Sequence, residues 1–304
     1  MNREFKSPNY TGDWNELPTI GKKGKSCNGY LTWFFLDIET TGGSHMPDRI
    51  TEVALIKIEG GEVTATWETL INPGKPIPKQ VTGLTGISNK MVKEALPFED
   101  IAGDLYSHLD GTVMVAHNSR FNYGFLKAEF KRMGGTLRQR TLCTLKLSRK
   151  LYPHVQGHSL DAIIKRIGLT TSARHRGMGD VQLMMDFLEA AKQNLGSVKV
   201  LEAINSQLKG PTLPANIDDS FLQKIEDVPR VYLYYDDTEI PLYIGKSVKL
   251  KTRVLNHFAS DHVTHTEMEM AQRVKRIERK ETAGELGALL LEMNLIKKAS
   301  TCLQ

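Results

Sequence analysis

The spacing of apolar positions predicts strands at the start of the chain and then helices alternating with strands. From Leu31 the run LTWFFLDIE is apolar, aromatic and short, and Thr-Thr-Gly-Gly ends it, which predicts a buried strand delivering Asp37 at its end. ITEVALIKIE and EVTATWETLINP predict two more strands, with Gly60-Gly61 as a hairpin signal between them. After a loop marked by Gly and Pro, the pattern predicts a helix over 97–109, a strand over 112–116 and a helix over 122–133. A last strand over 138–142 is followed by helices over 145–151, 160–167 and 179–192. Three strands followed by alternating helices and strands imply an α/β fold, a mixed sheet with a parallel component and flanking helices.

Residues 1–29 carry Gly, Pro, Asn, Ser and Lys without apolar periodicity and read as an irregular extension. Beyond Gly196 a helix, VKVLEAINSQL, runs into KGPTLPANIDDS, where Pro, Gly and Asp interrupt any period. The expected layout is therefore a first domain over 30–200, a linker over 201–228 and a second domain over 229–304. In the second, VYLYYDD and PLYIG form a hairpin-like pair, while KLKTRVLNHF, EMEMAQRVKRIERK and ETAGELGALLLEMNLIKK read as helices or helix–strand mixtures. This predicts a second small α/β domain.

Length supports that division, because 304 residues exceed the roughly 100–200 of one domain. With 40% hydrophobic and 25% charged residues, a wholly disordered or fibrous chain is excluded. The net charge of +5 is compatible with a polyanionic partner, though many basic proteins never meet one. From Lys246 to Lys280 nine Lys/Arg face four Asp/Glu, so that stretch carries the whole excess; a solvated helix face would explain it equally well. Cys27, Cys143 and Cys302 lie too far apart for a zinc pattern or a disulfide framework. No apolar run approaches the roughly 20 residues of a membrane span, and the N-terminus has no signal-peptide core, so a soluble, cytoplasmic protein is expected.

Asp37 and Glu39, two residues apart at a strand end, point to one side of the sheet, where they could share a hard divalent cation. In HRGMGD, His175 precedes Asp180 by five residues, supplying a general base and a further oxygen ligand. Each feature alone could be a solvated strand end or a helix cap. Together, FLDIETTG, AHNSRFNYGFL and HRGMGD resemble, in order and spacing, the three motifs of the DEDDh 3′→5′ exonucleases, which include the proofreading epsilon subunit of bacterial DNA polymerase III. The resemblance covers about 30–194. It implies an RNase H-like fold in which Asp37, Glu39 and Asp180 hold two Mg²⁺ or Mn²⁺ ions, His175 deprotonates the attacking water, and Thr40 and Thr41 meet the substrate. One position departs: Asn122 stands where the fourth acid of that family belongs. An amide brings no negative charge, so cation binding is expected to be weaker and exonuclease activity impaired, natively or by a deliberate substitution.

Tyr232 and Tyr243 lie on the two hairpin segments, as tyrosines in strands commonly do. Lys246, Arg253 and His257 follow at spacings that could converge on a phosphate, and Glu292 is a carboxylate within the apolar ALLLEMNLI. PLYIGKS, RVLNHF and TAGELGALLLE resemble the GIY-YIG endonuclease domain found in the endonuclease subunit of bacterial nucleotide excision repair. That resemblance implies one divalent cation on Glu292, Tyr232 as the base, Tyr243, Lys246 and His257 around the site, and Arg253 on the scissile phosphate. Arg230 replaces the usual glycine of the first motif, and the family's Pro-x-Tyr-Asn does not follow the glutamate helix, which weakens the expectation of endonuclease activity.

The leading expectation is a DNA repair or processing nuclease with DNA as its partner and nucleoid association. The alternatives are a DNA-binding module that clamps 3′ ends without cutting, and a replication-associated proofreading partner that docks repair or replication proteins.

Overall fold

The computed structural model describes residues 32–168, 174–209, 213, 214, 217, 230–259, 270, 271 and 273–301. The extension over 1–29 lies outside the described residues. The chain divides into two compact units, Met1–Gly210 and Pro211–Gln304.

The first unit is built on a five-stranded sheet of order β3-β2-β1-β4-β5, comprising β1 (Trp33–Thr40), β2 (Ile50–Glu59), β3 (Glu62–Leu70), β4 (Val113–Ala116) and β5 (Arg140–Cys143). β1 pairs antiparallel with β2 and parallel with β4, which pairs parallel with β5. The expected Gly-Gly turn joins β2 to β3, with φ of 57° at Gly60 and 90° at Gly61, values that favour glycine and match the twist of a tight hairpin. The Gly/Pro loop that follows contains two short helices, α1 (Lys79–Thr85) and α2 (Asn89–Val92), too brief to leave a periodic apolar signal.

Helices cover both sheet faces, so β1 is apolar along nearly its whole length. Phe34, Leu36 and Ile38 pack with α3 (Phe98–Leu109) and α4 (Ser119–Arg132). Trp33 and Phe35 face α5 (Thr144–Leu151), α6 (Leu160–Ile167), α7 (Gly177–Leu195) and α8 (Ser197–Lys209). α4 starts three residues before the expected boundary because Asn118, at φ 56°, turns the chain into it. Helix α8 runs to Lys209, and its Val200, Ala203 and Ile204 are buried in the first core. The stretch expected as a linker over 201–228 therefore begins as packed helix.

In the second unit, β6 (Arg230–Tyr235) is the middle strand of an antiparallel sheet of order β7-β6-β8, with β7 (Pro241–Ser247) and β8 (Arg276–Glu281) beside it. Strand alternation sends Tyr232 and Tyr234 toward α9 (Leu250–Ala259), with Val254 and Phe258 beneath them. Val231, Leu233 and Tyr235 face the opposite way, onto Ala288, Leu291 and Leu295 of α10 (Glu285–Thr301). Among the described residues no helix is long and apolar enough to cross a membrane.

Candidate active sites

Asp37 and Glu39 are in phase with Trp33 and Phe35, so both lie on the face of β1 that α7 covers. Asp180, in the first turn of α7, descends onto the same strand end, and the carboxylate oxygens of Asp37, Glu39 and Asp180 lie within 4.8 Å of one another. They line an open cleft of about 230 Å³ that also contains His175, Arg174, His117 and Asn122.

Burial, and then the charges of Asp180 and Glu39, push the Asp37 carboxyl well above the usual carboxylate range. Burial followed by Asp180 and Glu52 raises Glu39 to about 8. Burial raises Asp180 too, against the opposing pull of Arg174. Burial and the mutual repulsion of three carboxylates leave the cluster short of positive charge even with Arg174 beside Asp180. A hard cation with oxygen preference supplies that charge, so the donor set fits a divalent ion of the Mg²⁺ or Mn²⁺ type.

The position of α7 rests on Glu52, which is fully buried on β2 opposite Glu39. Its carboxylate accepts from Arg176 Nη2 at 2.6 Å and from the Gly177 N–H at 2.9 Å, tying the helix start to the sheet. His175 adopts φ 58°, an uncommon backbone state for a side chain without special turn chemistry, held between this anchor and Asp180. Sequence reading overlooked Glu52, Arg176 and Arg174. The signal for Glu52 was available, an acid inside an apolar strand, which is the reasoning applied to Glu292.

Asn122 is 2% exposed, and both ends of its amide are engaged. Oδ1 accepts from the Ile38 N–H at 3.0 Å, and Nδ2 donates to the His117 carbonyl at 3.1 Å. A carboxylate could replace the first bond but would set an oxygen against the carbonyl in the second. His117 lies in the cleft with Nδ1 3.0 Å from Thr144 Oγ1, and burial, followed by Arg174 and Arg149, lowers its pKa to about 4. It is neutral at ordinary pH. The hydroxyls of Thr40 and Thr41 shape the β1–β2 loop: Thr40 Oγ1 donates to the Gly42 carbonyl at 2.6 Å, and Thr41 Oγ1 donates to Asp48 Oδ1 at 3.2 Å while accepting from the Arg49 N–H at 3.1 Å.

In the second unit the fold gathers Tyr232, Tyr243, Arg253 and His257. Tyr232 Oη and His257 Nε2 are 2.9 Å apart in the buried interior, and the Tyr243 and His257 ring centroids are 4.9 Å apart. Burial, then Tyr243, raises the Tyr232 hydroxyl, with Arg253 pulling it the other way. Hydrogen bonds donated by Arg253 to the Tyr232 and Tyr243 hydroxyls hold it above its ordinary range. Gly245 makes the cluster possible, since a Cβ there would lie 2.6 Å from Tyr243 Cε1 and 2.9 Å from Tyr232 Cζ. Glu292 is half-buried on α10, which packs on the sheet face opposite this cluster, and Lys246 is exposed, cross-strand from Val231. The departure at Arg230 has a local explanation: its guanidinium lies 3.0 Å from Glu281, its cross-strand partner. Part of the basic stretch is paired around the β6–β7 turn, where Arg273 meets Asp236 at 2.7 Å and Lys275 meets Asp237.

The sequence pattern of the family described as "Exonuclease" matches residues 34–188, and that of the "UvrC-like GIY-YIG domain" matches residues 228–301. A Mycobacterium tuberculosis protein described as a candidate bifunctional exonuclease/endonuclease is 29% identical over 276 residues, covering 87% of this chain and 43% of its own length. The 3′-5′ exonuclease DinG of Bacillus subtilis is 34% identical over 214 residues, covering 68% of this chain and 22% of its own. The chain thus spans less than half the length of these curated relatives. A structure of E. coli Exonuclease I with single-stranded DNA, at 16% identity, matches 67% of this chain and 48% of that one with a TM-score of 0.54, a likeness of fold. The expected RNase H-like mixed sheet and the smaller second sheet are both present. With a match over half its length, the chain belongs to the exonuclease family through residues 34–188 and carries a UvrC-like GIY-YIG domain over residues 228–301.

Proposed function

We propose that this protein is a DNA repair or processing nuclease, a divalent-metal-dependent 3′→5′ exonuclease joined to a GIY-YIG endonuclease, acting at the nucleoid. The observation that carries the reading is the convergence of Asp37, Glu39 and Asp180 beside His175 in one cleft. Mg²⁺ or Mn²⁺ ions, two in the exonuclease site, would be held by those three carboxylates and would stabilise charge on the attacking and leaving oxygens. His175 takes a proton from water as its oxygen attacks the terminal phosphorus and the bond to the 3′ oxygen of the preceding nucleotide breaks. Asn122 contributes no charge, so the exonuclease step is slow in this chain. In the second domain Tyr232 acts as base toward water with His257 as its hydrogen-bond partner and Arg253 binds the scissile phosphate, while Glu292, on the helix across the sheet from them, would hold one divalent ion. Tyr243 lines the substrate beside Arg253, and the exposed Lys246 meets it from the edge strand β7. DNA as the substrate is supported by the likeness of fold to Exonuclease I, whose structure holds single-stranded DNA.

The engaged amide of Asn122 favours one other reading, in which the first domain clamps a DNA 3′ end without cutting it. The experiment is digestion of 3′-tailed and nicked DNA in Mn²⁺ by this chain, by Asn122→Asp and by Asn122→Asp/Glu292→Ala. Stepwise 3′ trimming gained with Asn122→Asp, and internal cuts lost with Glu292, are expected. Binding of DNA by all three with no cutting overturns the nuclease reading in favour of the clamp.

A further inference from the structure

Asp180 faces two carboxylates on one side and a guanidinium on the other. Arg174 Nη1 donates to Asp180 Oδ1 at 2.6 Å and approaches Oδ2 at 2.5 Å. The other edge of the same guanidinium is forked onto Asp161, with Nε donating to Oδ1 at 2.7 Å and Nη2 to Oδ2 at 3.2 Å. The two anchors differ in setting. The Asp180 side chain is 9% exposed and crowded by Asp37 and Glu39, whereas that of Asp161, in the first turn of α6, is 53% exposed.

We propose that Arg174 is a displaceable counter-cation: it neutralises Asp180 while no divalent ion is bound, and shifts wholly onto Asp161 when an ion takes Asp180. The proposal rests on the divalent-ion reading of this cleft. One nitrogen of Arg174 takes a lone pair on each Asp180 oxygen, so until it leaves, a metal ion must share that carboxylate with a second cation. A guanidinium and a divalent cation on one carboxylate also repel each other. The second anchor makes departure cheap, because the fork to Asp161 is already formed and matches carboxylate geometry. Arg174 is thus a positioning residue, acting through Asp180 on the ion concentration at which the site fills. Its neighbour in sequence is His175, so its release leaves a positive group at the rim of the cleft next to the proposed base.

The test is Mn²⁺ titration of the full chain, with free Mn²⁺ read from its electron paramagnetic resonance signal, for the unaltered protein, Arg174→Gln, Asp161→Asn, the double variant and Asp180→Ala. Circular dichroism melts check that each is folded. Removing the competing cation should tighten Mn²⁺ binding about tenfold, the scale of one charge-assisted hydrogen bond. Asp161→Asn removes the resting place, leaves Arg174 on Asp180 and should weaken binding several-fold, while the double variant should follow Arg174→Gln. A merely structural arginine would weaken binding in every variant. Looser or unchanged binding in Arg174→Gln, or unchanged binding in Asp161→Asn, overturns the counter-cation while leaving the ion site intact. If no Mn²⁺ binding depends on Asp180, the divalent-ion reading fails, and this proposal with it.

Discussion

Replacing Gly177 by alanine should push α7 away from the sheet at the point on which Asp180 depends. The added Cβ would stand 2.8 Å from Ala54 Cβ and 3.4 Å from both the Ala54 nitrogen and Glu52 Oε2. Carbon atoms in contact prefer about 3.5–4.0 Å, so helix and strand must part by a sizeable fraction of an ångström. Ala54 is fully buried in β2, which is paired on both sides, so the movement falls on the start of α7. That shift stretches the 2.9 Å bond from the Gly177 N–H to Glu52. Overpacking of this kind costs about 1–3 kcal/mol, and the better helix propensity of alanine returns up to about 1. The net expectation is a loss of about 1–2 kcal/mol in urea denaturation and weaker Mn²⁺ binding in titration, because Asp180 lies within the displaced turn. Ala54→Gly removes the opposing methyl. Although it carries its own strand penalty, the double variant should regain Mn²⁺ affinity and show about 1–2 kcal/mol of favourable coupling in a double-mutant cycle. Additive losses, or a Gly177→Ala protein with unaltered stability and Mn²⁺ affinity, would refute the view that this close approach sets the third carboxylate.

The raised pKa of Glu39 makes a prediction of definite sign. Its folded value of about 8 exceeds the ordinary 4.5, so its contribution to stability is full below 4.5 and is lost as pH rises toward 8. Melting temperature without divalent ions should fall across that window, and saturating Mn²⁺ should flatten the slope. In the second domain, Tyr232→Phe deletes the 2.9 Å hydrogen bond to His257 and should cost about 1 kcal/mol in chemical denaturation while abolishing nicking of plasmid DNA. Gly245→Ala should be worse, by about 1–3 kcal/mol, since its Cβ would collide with two tyrosine rings at once; a normal melting curve for this domain would count against the packed tyrosine cluster.

Much of the fold was legible in one dimension because local rules dominate there. The apolar run ending in Thr-Thr-Gly-Gly, the Gly60-Gly61 turn and the helical spacing over 160–167 each reflect a period or turn chemistry contained within a few residues. So were the acids at 37 and 39, since alternation along a strand puts them on one face regardless of what packs there. The β8 edge strand was less visible: RIERKE is mostly charged, and only its pairing with β6 makes it a strand.

Long-range packing supplied the rest. Glu52 and Arg176 are 124 residues apart, so no window along the chain can report their meeting, and Arg174, 13 residues from Asp161, meets it only once α6 and α7 are packed together. The dual engagement of Asn122 needed β1 and α4 folded together. The separation of α10 from the tyrosine cluster by the thickness of a sheet is likewise a property of the assembled fold. Residue type and spacing specified which groups could do chemistry; burial and the charges brought beside them from distant parts of the chain set how those groups ionise and what already holds them.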